Sequence, residues 1–260
     1  MGARATVLIA LAAVFWMPDG QAGQDYPTAV KEIRGVLVGR LNLPMPEVVL
    51  ESCATREIFE ATLVRQLKLK PASAATAAKF AKAIVGNNKI IINEQAMGEY
   101  DWPRRVLTMA HEMVHLSQLE LSERRRSLVR YQWLTEGFAE HVGYEVVVAL
   151  GQDDMAEVRA DQIARVREVR RRGLLPRLAE VDSMDQWIAS RDQRGFDAAY
   201  PFAFLVIEVL EERHSRQAVL DYFRRFASSG DPAANFQAAF GESLESFQQV
   251  LDRRFAALLE

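Results

Sequence analysis

Apolar residues recur at helical spacing through most of the chain beyond residue 25. The longest such pattern covers residues 106–121, and Asp101 and Pro103 just before it are typical of a helix start. Other helices are predicted over residues 26–41, 56–69, 134–150, 155–172, 201–212, 217–227 and 244–259. The pattern therefore predicts a mainly helical protein.

Only two early segments have the character of a strand. Residues 47–51 contain Val-Val-Leu, and Lys89–Asn93 has three consecutive isoleucines behind an Asn87-Asn88 turn. The Ala-rich residues 72–83 are compatible with either a helix or a loop. Few strands followed by many helices predict an α+β domain dominated by helix.

The first 22 residues have the pattern of a secretory signal peptide. One positive charge precedes an apolar run over residues 5–17, and small residues follow up to Ala22, where we expect cleavage. The alternative is an uncleaved membrane anchor, but such a run covers only about 20 Å of a roughly 30 Å hydrocarbon core. We therefore expect a protein exported to a bacterial periplasm or secreted, with no stable membrane insertion.

No linker or repeat divides the remaining residues 23–260, so we predict a single domain. Within it, residues 44–120 are expected to form the sheet and the long helix, and residues 121–260 a helical lobe. The sequence has 49% hydrophobic residues, enough for a large core, and Cys53, the one cysteine, is expected to be a small buried hydrophobe. Lys+Arg (32) nearly balance Asp+Glu (35), which argues against a nucleic-acid partner.

The candidate chemistry lies in the segment His111-Glu112-Met113-Val114-His115. Residues four apart on a helix are separated by about 40° and 6 Å, so both imidazoles can reach one metal ion. Glu112 is rotated about 100° from His111 on that helix, which places its carboxylate beside the ion, where it can take a proton from water. The sequence therefore predicts a zinc site with a general base.

A catalytic zinc needs a third protein ligand, and Leu121 stands where a third histidine would close the site. Glu136 lies twenty residues beyond His115, which is enough for a turn and an antiparallel helix that returns to the ion. Gly137 and Ala139 are small and would let those two helices approach closely. Glu136 is thus the predicted third ligand, and Glu140 is predicted to orient a ligand histidine or to serve as the alternative ligand. The competing interpretation is that both carboxylates lie on a solvated helix face.

These residues resemble the gluzincin zinc metallopeptidases, in particular bacterial peptidase MA-like domains related to thermolysin. The resemblance is carried by His111-Glu112-x-x-His115 and by the Trp-Leu-Thr-Glu-Gly-Phe-Ala-Glu segment over residues 133–140, and it extends from about Pro44 to the C-terminus. It implies a thermolysin-like fold, Glu136 as a zinc ligand, and Lys89–Asn93 as the edge strand along which an extended peptide binds.

The resemblance also implies peptide-bond hydrolysis by metal-activated water. It places a Tyr or His downstream of the third ligand to stabilise the oxyanion, and Tyr200 fits that order, although Tyr200 could equally cover a helix end. A Gly-x-Met-Glu-Asn stretch that reads a substrate amino terminus is absent upstream of the motif, which favours an endopeptidase over an aminopeptidase. The alternative function is an envelope binding or assembly module that keeps a structural or weakly active zinc site.

Overall fold

A computed structural model describes residues 25–124 and 131–259 of the chain. The predicted signal peptide lies outside the described residues. The helices are α1 (Tyr26–Gly39), α2 (Arg56–Leu67), α3 (Pro71–Phe80), α4 (Glu94–Met97), α5 (Trp102–Leu121), α6 (Gln132–Ala149), α7 (Met155–Arg171), α8 (Met184–Arg194), α9 (Phe196–His214), α10 (Arg216–Arg225), α11 (Pro232–Phe240) and α12 (Leu244–Leu258), with a short 3-10 helix over Leu178–Glu180. The strands are β1 (Val49–Cys53), β2 (Ala83–Gly86) and β3 (Lys89–Asn93). The prediction of a helix-dominated α+β fold is confirmed.

The three strands form one small sheet in the order β1-β3-β2. β1 runs parallel to β3, and β2 pairs with β3 as an antiparallel hairpin. Asn87 and Asn88 form its turn with φ of 51° and 57°, a conformation that asparagine tolerates better than most residues. The expectation that Lys89–Asn93 is an edge strand is wrong, because β3 is central. The two edges are β1 and β2, and the pattern did not predict β2.

The strand β3 is buried on both faces because its side chains alternate between two hydrophobic clusters. Ile90 and Ile92 belong to the main core beside α5, whereas Ile91 lies in a smaller cluster beneath α2 and α3. Cys53 belongs to that smaller cluster and is 1% exposed, so its predicted role as a buried hydrophobe is confirmed.

The main core extends from α1 to α12, and α5, α6 and α9 form its centre. A Cβ at Gly137 would lie 2.6 Å from the backbone oxygen of Ala203, so this glycine permits the close approach of α6 to α9. The expected approach to α5 occurs instead at Gly143, where a Cβ would lie 3.0 Å from Leu107. The prediction that Gly137 permits a close helix contact is thus correct, but the contact is with α9 and not with α5.

Helix α9 begins at Phe196, five residues earlier than predicted, and includes Pro201. Tyr200 therefore does not precede the helix but lies within it, because burial of the flanking residues outweighs the bias of a residue before proline. In the part of the chain that the structure describes, no helix is both long enough and apolar enough to span a membrane.

Candidate metal centre

Helix α5 carries the two histidines and the glutamate of the predicted motif. Its start is fixed by Asp101, whose carboxylate accepts a hydrogen bond from the backbone N–H of Arg104 at 3.0 Å, and by Pro103 in the first turn. The helix then buries Met109 and Met113 in the core while His111 and His115 face α6 and the sheet edge. Local sequence alone thus positions both imidazoles on one face.

Helix α6 brings Glu136 to the same point. Its carboxylate lies 3.3 Å from Nε2 of His111 and 3.7 Å from Nε2 of His115, and the two Nε2 atoms lie 3.2 Å apart. One ligand atom from each of the three residues can be chosen so that all lie within 4.8 Å of one another. Ligands of a tetrahedral zinc with bonds of about 2.0–2.2 Å lie about 3.3–3.6 Å apart, so this donor set fits the ion.

Both histidines use their other ring nitrogen for a hydrogen bond away from this point. Nδ1 of His111 donates to Oε2 of Glu140 at 3.1 Å, since an ionised carboxylate can only accept. Nδ1 of His115 donates to Oε1 of Gln118 at 2.9 Å, and the amide of Gln118 donates to the Thr135 carbonyl at 2.8 Å. Both Nε2 atoms therefore face the Glu136 carboxylate, and a metal ion bound there would displace their protons.

The structure brings together every residue that the sequence assigned to the metal site, and it adds Gln118 and Gln132. Gln118 follows His115 by three residues on one helix. That spacing predicts a contact between the two side chains, so Gln118 could have been identified from the sequence. Gln132 donates to Oε1 of Glu136 at 2.6 Å, and its spacing of four is likewise visible in the sequence.

The charges at this point interact strongly because the side chains are buried. Burial lowers the pKa of His111, but hydrogen bonds to Glu136 and Glu140 and the charges of those carboxylates raise it more, to about 10. Burial raises the pKa of Glu136, but His115 and His111 lower it well below its ordinary value. Glu136 is therefore an anion at neutral pH, as a zinc ligand must be.

Glu112 lies beside His111 and Glu136 and contacts the strand β2. Its Oε2 accepts a hydrogen bond from the backbone N–H of Val85 at 3.1 Å. Burial raises the pKa of Glu112, and the charges of His115 and His111 offset part of that rise. This carboxylate is thus held at the junction of α5 and β2.

Tyr200 belongs to helix α9 and contacts His111. Its ring centroid is 5.8 Å from that of His111 and 5.3 Å from that of Trp187. Burial, together with the charges of Glu136 and Glu140, raises the pKa of the Tyr200 hydroxyl, so it remains a protonated donor. The two remaining histidines lie elsewhere: His141 contacts Phe204, with ring centroids 4.9 Å apart, and His214 is paired with Glu242 at 2.6 Å.

Two cavities meet at this site. One of about 1110 Å³ runs along the N-terminal half of α5, and one of about 740 Å³ lies between β2 and the start of α8. His111, Glu112 and Tyr200 line both, so the three side chains stand where the cavities join.

Comparisons with protein-family models, with curated proteins and with solved structures find no match for this chain.

Proposed function

We propose that this protein is an exported zinc-dependent peptidase of the gluzincin type, in which His111, His115 and Glu136 hold the ion. The observation that carries the proposal is the arrangement of the two histidines. Both direct Nε2 toward the Glu136 carboxylate, and both Nδ1 atoms are engaged by outer partners. Two histidines in a hydrophobic core without a ligand role have no need for this shared orientation.

A zinc ion held by these residues would supply a Lewis acid that activates water and polarises a carbonyl group. The role of the protein is then to move protons. Glu112 takes the proton of the attacking water and delivers it to the nitrogen of the leaving amine. Its hydrogen bond to the backbone of Val85 fixes the carboxylate for both transfers.

Tyr200 is proposed as the donor that stabilises the developing oxyanion, because its hydroxyl stays protonated and the side chain lines both cavities. Glu140 is proposed to hold His111 in the tautomer with a free Nε2. Both roles follow the chemistry expected of hydrolysis, in which the carbonyl oxygen gains negative charge.

The substrate is proposed to pair with β2. The Asn93 N–H donates to the Lys82 carbonyl at 2.9 Å, so the alternation of an antiparallel pair directs the backbone groups of Ala83 and Val85 away from β3. Because the Val85 N–H already donates to Glu112, the substrate would pair with the backbone groups of Ala83 and with the Val85 carbonyl. Both residues line the smaller cavity next to Glu112. An extended peptide added to this edge would bring a carbonyl group past the site.

Cavities on both sides of the site favour an endopeptidase over an aminopeptidase. An aminopeptidase needs a closed end that recognises the amino terminus, whereas here a peptide can extend in two directions from His111 and Glu112. We propose that the overall fold is thermolysin-like and that β2 is the edge strand that binds the substrate.

The decisive experiment combines metal analysis with cleavage of a peptide library by the purified protein. We expect about one zinc per chain and cleavage that a chelator abolishes. Glu112→Gln should keep the zinc and lower kcat at least 1000-fold, since it removes the base, which contributes on the order of 10²–10⁴-fold, and alters the charge at the reacting centre. Glu136→Ala should lose the zinc as well as the activity.

The matched control is Glu32→Gln, which removes an exposed carboxylate on α1 and should leave zinc content and cleavage unchanged. Full activity in Glu112→Gln would refute the proposed mechanism. Stoichiometric zinc without cleavage of any peptide would favour the alternative, an envelope binding or assembly module with a structural ion.

A further inference from the structure

The larger cavity has an excess of positive charge. Five Lys or Arg side chains line it, and its carboxylates are Glu112 and Glu140, both at the inner end beside His111. The five are Lys79, Lys82, Arg104, Arg165 and Arg191. A chain with balanced charge overall thus presents a cationic wall to whatever occupies this space.

Three of these cations are paired with carboxylates that do not line the cavity. Arg165 lies 2.8 Å from Asp161, and Arg191 lies 3.4 Å from Asp192. Lys82 is paired in the same way with Glu99. The charges of these three side chains are balanced within the protein.

The fifth cation, Lys79, is exposed and lies 5.0 Å from the ring centroid of Phe80. Arg104 differs from the three paired cations. Among residues 25–124 and 131–259, no carboxylate oxygen lies within 4 Å of its guanidinium, which is held by neutral groups. Nη1 donates to the Tyr144 hydroxyl at 3.1 Å, and the guanidinium carbon lies 5.7 Å from the ring centroid of Tyr100. Arg104 is an exposed residue of the cavity wall, and the charge of Glu140 acts on its guanidinium without forming an ion pair with it.

The Tyr144 hydroxyl is prepared to donate. Its oxygen accepts from Arg104 at 3.1 Å and from the amide of Gln162 at 3.2 Å, which occupies both lone pairs. The hydroxyl proton is then available to an acceptor in the cavity. Tyr144 is 8% exposed and Gln162 is 2% exposed, so both are held rigidly.

The position of Arg104 relative to the motif sets the distance to the reacting bond. Arg104 precedes His111 by seven residues on α5, which is two turns on the same helix face and about 10 Å along the axis. An extended peptide rises about 3.3 Å per residue, so this distance corresponds to about three residues. A group bound at Arg104 would therefore lie two or three residues from the scissile bond.

We infer that Arg104 and Tyr144 bind a carboxylate of the substrate, so that the protein prefers peptides with an anionic group two or three residues from the cleaved bond. The inference rests on the proposed peptidase function and adds a substrate class to it. A guanidinium matches a carboxylate in shape and charge, and the hydroxyl adds a third donor. A peptide can supply this carboxylate from its free C-terminus or from an Asp or Glu side chain.

The test uses the zinc-loaded protein and sets of peptides that share one sequence. One pair differs in a free or amidated C-terminus, and a second pair has Glu or Gln at the position two or three residues from the cleaved bond. We expect the form with the carboxylate to have a KM at least tenfold lower. Arg104→Gln should raise that KM at least tenfold, leave kcat within about threefold, and abolish the preference. The pair that shows the preference identifies the source of the carboxylate.

Two variants separate this role from effects on folding or on overall charge. Tyr144→Phe keeps the ring and should raise KM for the carboxylate peptide by about threefold to tenfold. Lys79→Gln removes another cation of the same cavity and should change KM less than twofold. Equal KM values for both members of both pairs, with no effect of Arg104→Gln, would overturn the inference and leave the peptidase proposal standing.

Binding provides a readout that does not depend on turnover. Titration calorimetry of the Glu112→Gln protein should show at least tenfold tighter binding of the carboxylate peptide than of its neutral counterpart. Adding Arg104→Gln should remove that difference. If no peptide is cleaved by the unmodified protein, the peptidase proposal fails, and the calorimetric comparison still decides whether Arg104 recognises a carboxylate.

Discussion

The geometry of the proposed zinc ligands depends on residues that would not touch the ion. Gln118 accepts from Nδ1 of His115 and donates to the Thr135 carbonyl on α6, so a single amide fixes one imidazole and joins the two helices. Its side chain is almost fully buried, so the amide has no water to replace these partners. The orientation of His115 is therefore set by α6 as well as by α5.

We predict that Gln118→Leu lowers the affinity for zinc by about 10- to 100-fold, as is usual when an outer partner of a ligand histidine is removed. Competition with a chromophoric chelator measures this directly. Gln118→Glu retains the acceptor for Nδ1 and should lose less affinity than the leucine variant. Equal affinities of the native and leucine proteins would show that α5 alone orients His115.

Glu242 is held by charged hydrogen bonds at the end of helix α9. It accepts from Arg213 at 2.7 Å and pairs with His214 at 2.6 Å at the end of α9. Burial raises the pKa of this carboxyl, but the hydrogen bonds from Arg213, His214 and Ser246 lower it by more. The pKa therefore lies below its ordinary value of 4.5. The stability that it contributes is present above its unfolded pKa and is lost as the pH falls through its folded pKa.

Glu242→Gln should accordingly lower the free energy of unfolding by roughly 1–2 kcal/mol at pH 7, because charged hydrogen bonds are replaced at a partly exposed site. The difference between the two proteins should shrink as the pH falls through the folded pKa, where the native carboxyl becomes protonated. Urea unfolding followed at several pH values measures it. A difference that stays constant down to acidic pH would contradict the ionic origin.

At the scale of elements, the contact between α6 and α9 holds Glu136 in place. Gly137, its neighbour, has no room for a Cβ because backbone and side-chain atoms of Ala203 lie within 2.6–3.0 Å of that position. A side chain there must separate the two helices or distort α6 next to a ligand residue.

We predict that Gly137→Ala lowers the free energy of unfolding by about 1–3 kcal/mol, the usual cost of overpacking, and weakens zinc binding. Gly35→Ala is the matched control, since an added Cβ there meets no atom within 4 Å on the exposed face of α1. That variant should gain about 1 kcal/mol from helix propensity. Thermal unfolding and zinc titration of both variants distinguish a packing effect from a general effect of alanine.

Some elements could be predicted from the sequence and others could not, because only some are specified by their own residues. The helix α5 has a cap, a proline in its first turn and five turns of apolar periodicity, so propensity and burial agree. β2 has only four residues after an Ala-rich segment, and its pairing with β3 is what makes it a strand. α8 was missed because its residues are mostly polar, and it is held by Trp187 and a capping box at Ser183.

The site likewise contains residues that could be predicted from the sequence and residues that could not. His111, Glu112 and His115 follow from spacing along one helix, and Glu136 follows from the need of zinc for a third ligand. Arg104 and Tyr144 lie forty residues apart on different helices, and only the packing of α5 against α6 brings them together. Such pairs have no signal in a single sequence.

For the whole molecule, the zinc site is proposed to act as a cross-link. His111 and His115 lie on α5 and Glu136 on α6, the two helices at the centre of a core that includes residues from α1 to α12. An ion that binds these three residues binds the folded chain and finds no such arrangement in the unfolded one. Its binding free energy therefore adds to the stability of the whole domain.

We predict that zinc raises the Tm of the native protein in proportion to the logarithm of its free concentration. Zinc at about 1000 times its Kd should add about 4 kcal/mol, which at about 2–4 °C per kcal/mol for a domain of this size is a rise of roughly 8–16 °C. Glu112→Gln should retain this rise, because Glu112 is proposed as a base and not as a ligand. Glu136→Ala should lose most of it, and an undiminished rise in that variant would place the ion elsewhere in the protein.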